Sequence, residues 1–404
     1  MSEQLAVKVL TSIPEIEVVR DVWAGWQSHP NSDLDFFLAV LRSVPGILRP
    51  HVIVVFRNGH PDAILVGRVE QREFEVSVGY KRTLKPEVRA LTFIHRGLLG
   101  NPRSDNCEVL VREVVKALRE GEADVALFNH LRIDTPLYAF VMRSPGFLSR
   151  DHFPTLQTHR SMTLPRSVED FYQGLSKKVR KNQKWQAKRL IQEHAGNVRI
   201  RCFREHGELE LMIREVEEVA RKTYHRALGV GFVASPDMRA RLHLQAQDGS
   251  LRAYLLYVVD RPWAFWMGTL YHGTFHSNFM GYDPDCARYS PGMFLIMKVI
   301  EGFCDPNACD KVKEIDFGLG DAQYKEVLGN AEWREAVVHI FAPSLKGVGL
   351  SLLRTPAIVI DKLAKALMER TKLLQRVKKM WRTHAIRKQE RETSVGGEPI
   401  QAHE

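Results

Sequence analysis

Cysteine is scarce in this chain. There are five in 404 residues, an odd number, which argues against a disulfide framework and for a reducing compartment. No run approaches the ~20 apolar residues of a membrane span. The opening stretch, MSEQLAVKVLTSIPEIEVVRDVW, carries acids where a secretory signal needs an apolar core. The expected location is cytoplasmic, with at most a peripheral association with the inner membrane. A Gly-rich phosphate loop of the Walker type and a nucleophile elbow are both missing. Cys304 and Cys309 flank DPNA without a second pair or nearby His ligands, so no metal is expected. The tract DFGLG (Asp316–Gly320) invites a kinase reading, which fails because His-Arg-Asp and Ala-Pro-Glu tracts are lacking.

What the chain does have is length for two ordinary domains and a net charge of +10, unevenly spread. From Lys346 to Glu404 there are thirteen Lys or Arg against six Asp or Glu. A second basic run, LSKKVRKNQKWQAKRL (Leu175–Leu190), has seven bases and no acid. Each reads either as a solvated helix face or as a surface for phosphate, acidic lipid or nucleic acid.

Hydrophobic patterning sets out the order of elements. RAYLLYVV (Arg252–Val259) turns at Asp260-Arg261-Pro262 into WAFWMGTLY, which turns at His272-Gly273 into TFHSNFMGY. Short connections and β-branched or aromatic content predict an antiparallel meander. Ahead of it, ELELMIREVEEVARKTYHRAL places Leu211, Val216, Val219 and Ala220 near helical spacing. After it come a helix from Gly292, a short strand KEIDFG, and a helix near Asp321. A weaker copy lies upstream: the hairpin HVIVVFRNGHPDAILVGRVE, the strand VRALTFIHRGLLG, the helix SDNCEVLVREVVKALREG, the strand ADVALFNHL, and DTPLYAFV in the place of DAQYKEVL. Ile360, Leu363, Leu367, Leu374, Val377 and Trp381 fall on one face of a basic helix that either packs on the body or lies on an anionic membrane.

Two places carry chemistry. In GYDPDCARYSPGMFLIMKVIEGF (Gly281–Phe303), Ser290 is a preferred N-cap, Pro291 fits the first helical position, and Gly292 lets a bulky group approach the backbone. A helix N-terminus directly after a strand offers unpaired N–H groups to a phosphate; it is also how any helix begins. In EIDFGLGDAQYKEVLG, Asp316, Asp321, Tyr324 and Lys325 cluster at a strand end and on the next helical turn. Asp321 alone reads as a cap. His276 shares a strand face with Thr274, Asn278 and Met280.

The span Trp266–Gly329 resembles the GNAT acetyltransferase superfamily. Through FMGYDPDCARYSPGMFLI, IDFGLGDAQYK and the upstream LSKKVRKNQKWQAKRL it looks more like the CelD (BcsL) type, associated with cellulose and exopolysaccharide synthesis and related to the Fem transferases. The resemblance implies a mixed α/β (α+β) fold in tandem copies, each a mainly antiparallel sheet flanked by helices. The expected layout is a degenerate copy at 1–165, a catalytic copy at 166–345, a basic amphipathic helix at 346–389 and a disordered tail at 390–404. It implies acetyl-CoA as co-substrate. Its pantetheine would run along NFMGYDP, past Met280, Gly281 and Tyr282, and its pyrophosphate would sit at Ser290, Pro291, Gly292 and Met293. Of the superfamily's usual phosphate loop only Arg288 and Gly292 remain.

The same resemblance makes Tyr324 the proton donor to the leaving thiolate. Asp316 is the candidate base, with His276 as its substitute, and backbone N–H groups near Met280–Tyr282 would hold the oxyanion. Lys325 would hold an anionic acceptor or the oxyanion. Lys177, Lys178 and Arg180 would hold an anionic acceptor, such as a nucleotide sugar or a lipid-linked saccharide. Expected partners are therefore a small-molecule or saccharide acceptor and an anionic membrane for the basic helix. Two other readings remain: a Fem-like transferase using aminoacyl-tRNA, which would bring in nucleic acid, and a non-catalytic membrane scaffold.

Overall fold

The computed structural model of the protein describes residues 4–78, 81–223, 226 and 231–370. Strand β1 (Leu5–Leu10) leads through helices α1 (Ile13–Glu17), α2 (Arg20–Trp26) and α3 (Leu34–Ser43) to β2 (Ile47–Pro50), β3 (Val52–Arg57) and β4 (His60–Glu73). A small hairpin, β5 (Val76–Val78) and β6 (Lys81–Leu84), precedes β7 (Glu87–Gly100), α4 (Ser104–Arg119), β8 (Val125–Arg132) and α5 (Pro136–Arg143). Then come β9 (Thr155–Thr163), α6 (Val168–Gly174), α7 (Lys177–Glu193), β10 (Val198–Phe203), α8 (Leu209–Ala220) and α9 (Pro236–Gln247). The last stretch is β11 (Leu251–Val258), β12 (Arg261–Tyr271), β13 (Thr274–Tyr282), α10 (Pro291–Phe303), β14 (Glu314–Leu319), α11 (Gln323–Leu328), β15 (Ala331–Phe341) and α12 (Leu345–Arg370).

Two compact units result. The first joins Met1–His159 to Glu332–Leu367; the second is built on Arg160–Ala331. In the first, the strand order is β1-β3-β4-β7-β8-β15, with β2 beside β4. Every pairing in it is antiparallel except β7–β8. Helix α4 turns Cys107, Leu110, Val111, Val114, Ala117 and Leu118 inward, the stripe that a 3.6-residue period produces. In the second unit β10-β11-β12-β13 form an antiparallel meander and β14 joins β13 in parallel. The turns are those that right-twisted strands favour, with both central residues at positive φ: Val259–Asp260 and His272–Gly273. The first turn therefore falls one residue earlier than expected, and Pro262 lies within β12.

The boundaries differ from the expected 165/166 and 345/346. Strand β15 follows the second unit in sequence yet pairs with β8, from Glu335–Arg132 to Phe341–Val125, so it completes the first unit's sheet. Nor is the folded body finished at residue 345. Leu350 and Ala357 of α12 enter the core with Phe74, Val88 and Phe341, and Arg354 binds the buried Asp151 carboxylate at 2.6 Å. The expected apolar face from Ile360 to Trp381 and the tail 390–404 lie outside the described side chains and residues. Among the described residues no helix is long and apolar enough to cross a membrane.

Candidate active site

In the second unit, β13 and β14 pair over only three residues: Thr274–Glu314, Phe275–Ile315 and His276–Asp316. Beyond that register β13 continues to Tyr282 and β14 to Leu319 without pairing to each other. Local chemistry explains the parting. Opposite β12 the register slips, Met267 facing Phe279 but Gly268 facing Ser277, so Asn278 is the extra residue of a bulge. Gly268 permits it, because a Cβ there would lie 2.2 Å from the His276 carbonyl oxygen. On the other strand Gly318 and Gly320 take positive φ, which curls the chain away.

The last paired register holds both expected base candidates. His276 and Asp316 are each 8 % exposed, and His276 Nδ1 lies 3.3 Å from Asp316 Oδ2. The other carboxylate oxygen, Oδ1, accepts the Gly318 N–H at 2.7 Å. Asp316 is thus committed to holding the imidazole and the curl of β14. That arrangement orients His276 rather than leaving Asp316 available to take a proton from an acceptor.

Strand alternation separates two faces of this opening. Phe275, Ile315 and Phe317 join the core with Phe294, Leu295 and other residues of α10, so the intervening His276 and Asp316 project to the opposite face. On the α10 side lies a cavity of about 740 Å³, walled by Lys178, Lys181 and Trp185 of α7, by Ser290 and Met293, and by Tyr324 of α11. Tyr324 meets Phe317 edge to face, 5.9 Å between ring centroids.

Pro291 occupies the first position of α10 as expected, but Ser290 does not cap it. Ser290 takes a left-handed conformation (φ 51°, ψ 50°) and its side chain makes no capping hydrogen bond. The short 3₁₀ turn Pro284–Tyr289 before it delivers the chain at an angle where only the Ser290 carbonyl reaches α10, accepting from the Phe294 N–H at 3.0 Å. The first-turn amides are therefore left uncapped by their own N-cap residue. A Cβ on Gly292 would stand 3.2 Å from Tyr282 Cδ1. Arg288 turns away, donating to the Tyr289 hydroxyl at 2.7 Å.

Other expected residues are placed differently. Lys325 is buried, its Nζ donating to the Leu319 carbonyl at 2.6 Å. Burial pushes its pKa down to about 8 against the pull of Asp316 and Asp321. It fastens the end of β14, so it does not reach out to an acceptor. Met280 packs partly against the α10 core, Gly281 is buried and Tyr282 exposed. Of the three bases assigned to an acceptor, only Lys178 is on the cavity wall; Lys177 is exposed and Arg180 half-buried, both away from it. Sequence reasoning missed Lys181, Asn182, Trp185 and Gln323 on that wall. Trp185, 55 % exposed on a helix whose one acid is its last residue, Glu193, was the signal available.

Residues 177–326, from the first residue of α7 into α11, match the family described as Acetyltransferase (GNAT) domain. That match lies within the second unit and spans most of its length. Among solved structures the chain is similar to FemX, at 11 % identity with a TM-score of 0.50, covering 82 % of this chain and 97 % of that one. It is also similar to a tandem GNAT protein from the clavulanic acid biosynthesis pathway, at 12 % identity, TM-score 0.47, covering 84 % and 99 %. A third is a GCN5-related N-acetyltransferase from Sphaerobacter thermophilus, at 11 % identity, TM-score 0.44, covering 84 % and 96 %. At these identities the likeness concerns the fold alone. No curated protein matches the chain by sequence.

Proposed function

We propose that the second unit transfers an acyl group from acyl-CoA, with acetyl-CoA the donor to test first, to an amine or hydroxyl of a cell-envelope or exopolysaccharide precursor. The observation that carries this reading is the strand pair that stops at His276–Asp316, with the uncapped start of α10 beside it. The pantetheine arm runs between the parted strands and the pyrophosphate meets the amides at Gly292 and Met293. The acceptor approaches from the face that carries His276.

His276, held by Asp316, takes the acceptor's proton as its lone pair attacks the thioester carbon. Unpaired N–H groups of β13 hold the oxyanion, an effect typically of about a hundred- to thousandfold. When the C–S bond breaks, Tyr324 gives its proton to the departing thiolate. Lys178 and Lys181 share a wall with Ser290 and Tyr324, so this reading moves Lys178 from the acceptor to the donor. The saccharide acceptor and the CelD type rest on the motif resemblance.

The test is calorimetric titration with acetyl-CoA and CoA, followed by an acceptor screen that reads thiol release. Binding with turnover on at least one amine or hydroxyl acceptor is expected. Absent CoA binding combined with salt-sensitive tRNA binding would replace the donor by aminoacyl-tRNA and overturn the proposal.

A further inference from the structure

The first unit gathers histidines that the acyl-transfer chemistry does not use. Glu335 on β15 is 0 % exposed, and His159 and His95 are buried beside it. His95 Nε2 lies 3.1 Å from Glu335 Oε2, and His159 Nδ1 lies 3.3 Å from Oε1. One ligand atom from each residue comes within 4.8 Å of the other two. The His95–Glu335 contact is close without hydrogen-bond alignment, although both atoms are shut away from solvent. Each contact alone is an ordinary imidazole–carboxylate distance, and the meeting of all three groups at one buried point is what needs explaining. A shared ion explains it: donors bonded at 2.0–2.1 Å to a tetrahedral metal stand about 3.3–3.4 Å apart.

The surroundings fit a ligand set held from outside. Trp333 Nε1 donates to Glu335 Oε1 at 2.6 Å, and its ring stacks on His159 at 4.4 Å with planes 16° apart. One residue thus orients two of the three groups, as outer partners of metal ligands do. The rings of His29 and His130 stand on His95 at 5.1 and 5.7 Å. Arg96 and His130 both have positive φ, 59° and 58°, a strained conformation for bulky side chains that tends to be kept at functional sites.

We propose that His95, His159 and Glu335 bind one divalent transition-metal ion of the zinc type. Two imidazoles and a carboxylate suit zinc, cobalt or nickel better than magnesium or calcium, which take oxygen ligands. The opposing feature is Arg96, whose Nη2 lies 3.8 Å from Glu335 Oε1 with 34 % of its side chain exposed. Its charge repels the ion, so replacing it with a neutral residue tightens binding.

The experiment uses the full chain, stripped by chelator and titrated with zinc and, separately, with cobalt. One equivalent per chain is expected, with the intense visible bands of tetrahedral cobalt. Since even an outer partner is worth about 10- to 100-fold in metal affinity, His95→Gln should weaken binding by about a hundredfold or more. Arg96→Gln, which keeps all three ligands, should bind at least as tightly as the parent. Near-ultraviolet circular dichroism checks that each variant is folded. No retained metal in the parent, His95→Gln binding like the parent, or loss of binding in Arg96→Gln would each overturn the site.

Discussion

Two parallel strand pairs part company in this protein, one in each unit, and the residues at the parting differ in kind. In the first unit β7 and β8 pair from Ala90–Val125 to Phe93–Phe128. The last register is two stacked rings, 4.7 Å apart, sealed into the core. In the second unit the last register is His276–Asp316. The helices that follow differ likewise. Asp105 lies in the first turn of α4, bound to Arg57 and to the Asn106 amide, so that helix start already has its anion. The first turn of α10 carries no acid and no side-chain cap. Leu137, buried, occupies the second position of α5, where α11 has Tyr324. One backbone plan thus closes into core in one unit and opens at a polar strand pair in the other. Three side-chain choices decide which.

That contrast can be broken by exchange. The largest effect is expected for His276→Ala, a fall in kcat of about 10²- to 10⁴-fold measured by thiol release at saturating acetyl-CoA; a full rate would remove the difference between the partings. Phe128→Ala should instead cost stability, about 3–5 kcal/mol for a large buried ring, seen as a lower denaturant midpoint. Its kcat per folded molecule should stay at the parent value.

Gly292→Val, forced against Tyr282, should weaken acetyl-CoA binding by about tenfold with a smaller change in kcat, read by calorimetry beside initial rates; equal affinity would detach the start of α10 from the donor. A separate effect, on stability rather than binding, concerns Lys325. The unfolded chain keeps that proton up to its ordinary 10.5, whereas the folded chain releases it at about 8. Stability should therefore rise with pH between those values, by up to about 3 kcal/mol. In Lys325→Met this rise should be gone from denaturant midpoints measured across the same range.

Much of this was legible in the residues. Alternating Trp266–Tyr282 marks the meander, the duplicated order marks the tandem copies, and Pro291-Gly292 marks the bare helix start. Other features depend on pairing that no local pattern encodes. His276 and Asp316 are forty positions apart, and only the register at which two strands stop pairing brings them together. Ser290 reads as a cap by composition, yet its left-handed backbone prevents the bond. Lys325 reads as a solvent-facing base until the Leu319 carbonyl above it is placed. His95, His159 and Glu335 are each lone residues on strands distant in sequence. Lys178 lines the cavity on the α10 side, which is why the proposal moves it from the acceptor to the donor.

The assignment of β15 and the start of α12 to the first unit has a consequence during synthesis. A ribosome that has finished the first three hundred residues has not yet supplied the strand that closes the N-terminal sheet along β8. The nascent N-terminal portion must wait, partly assembled, until Phe341 has been made. Dividing the gene between the two units would leave the upstream product without a strand it cannot supply for itself.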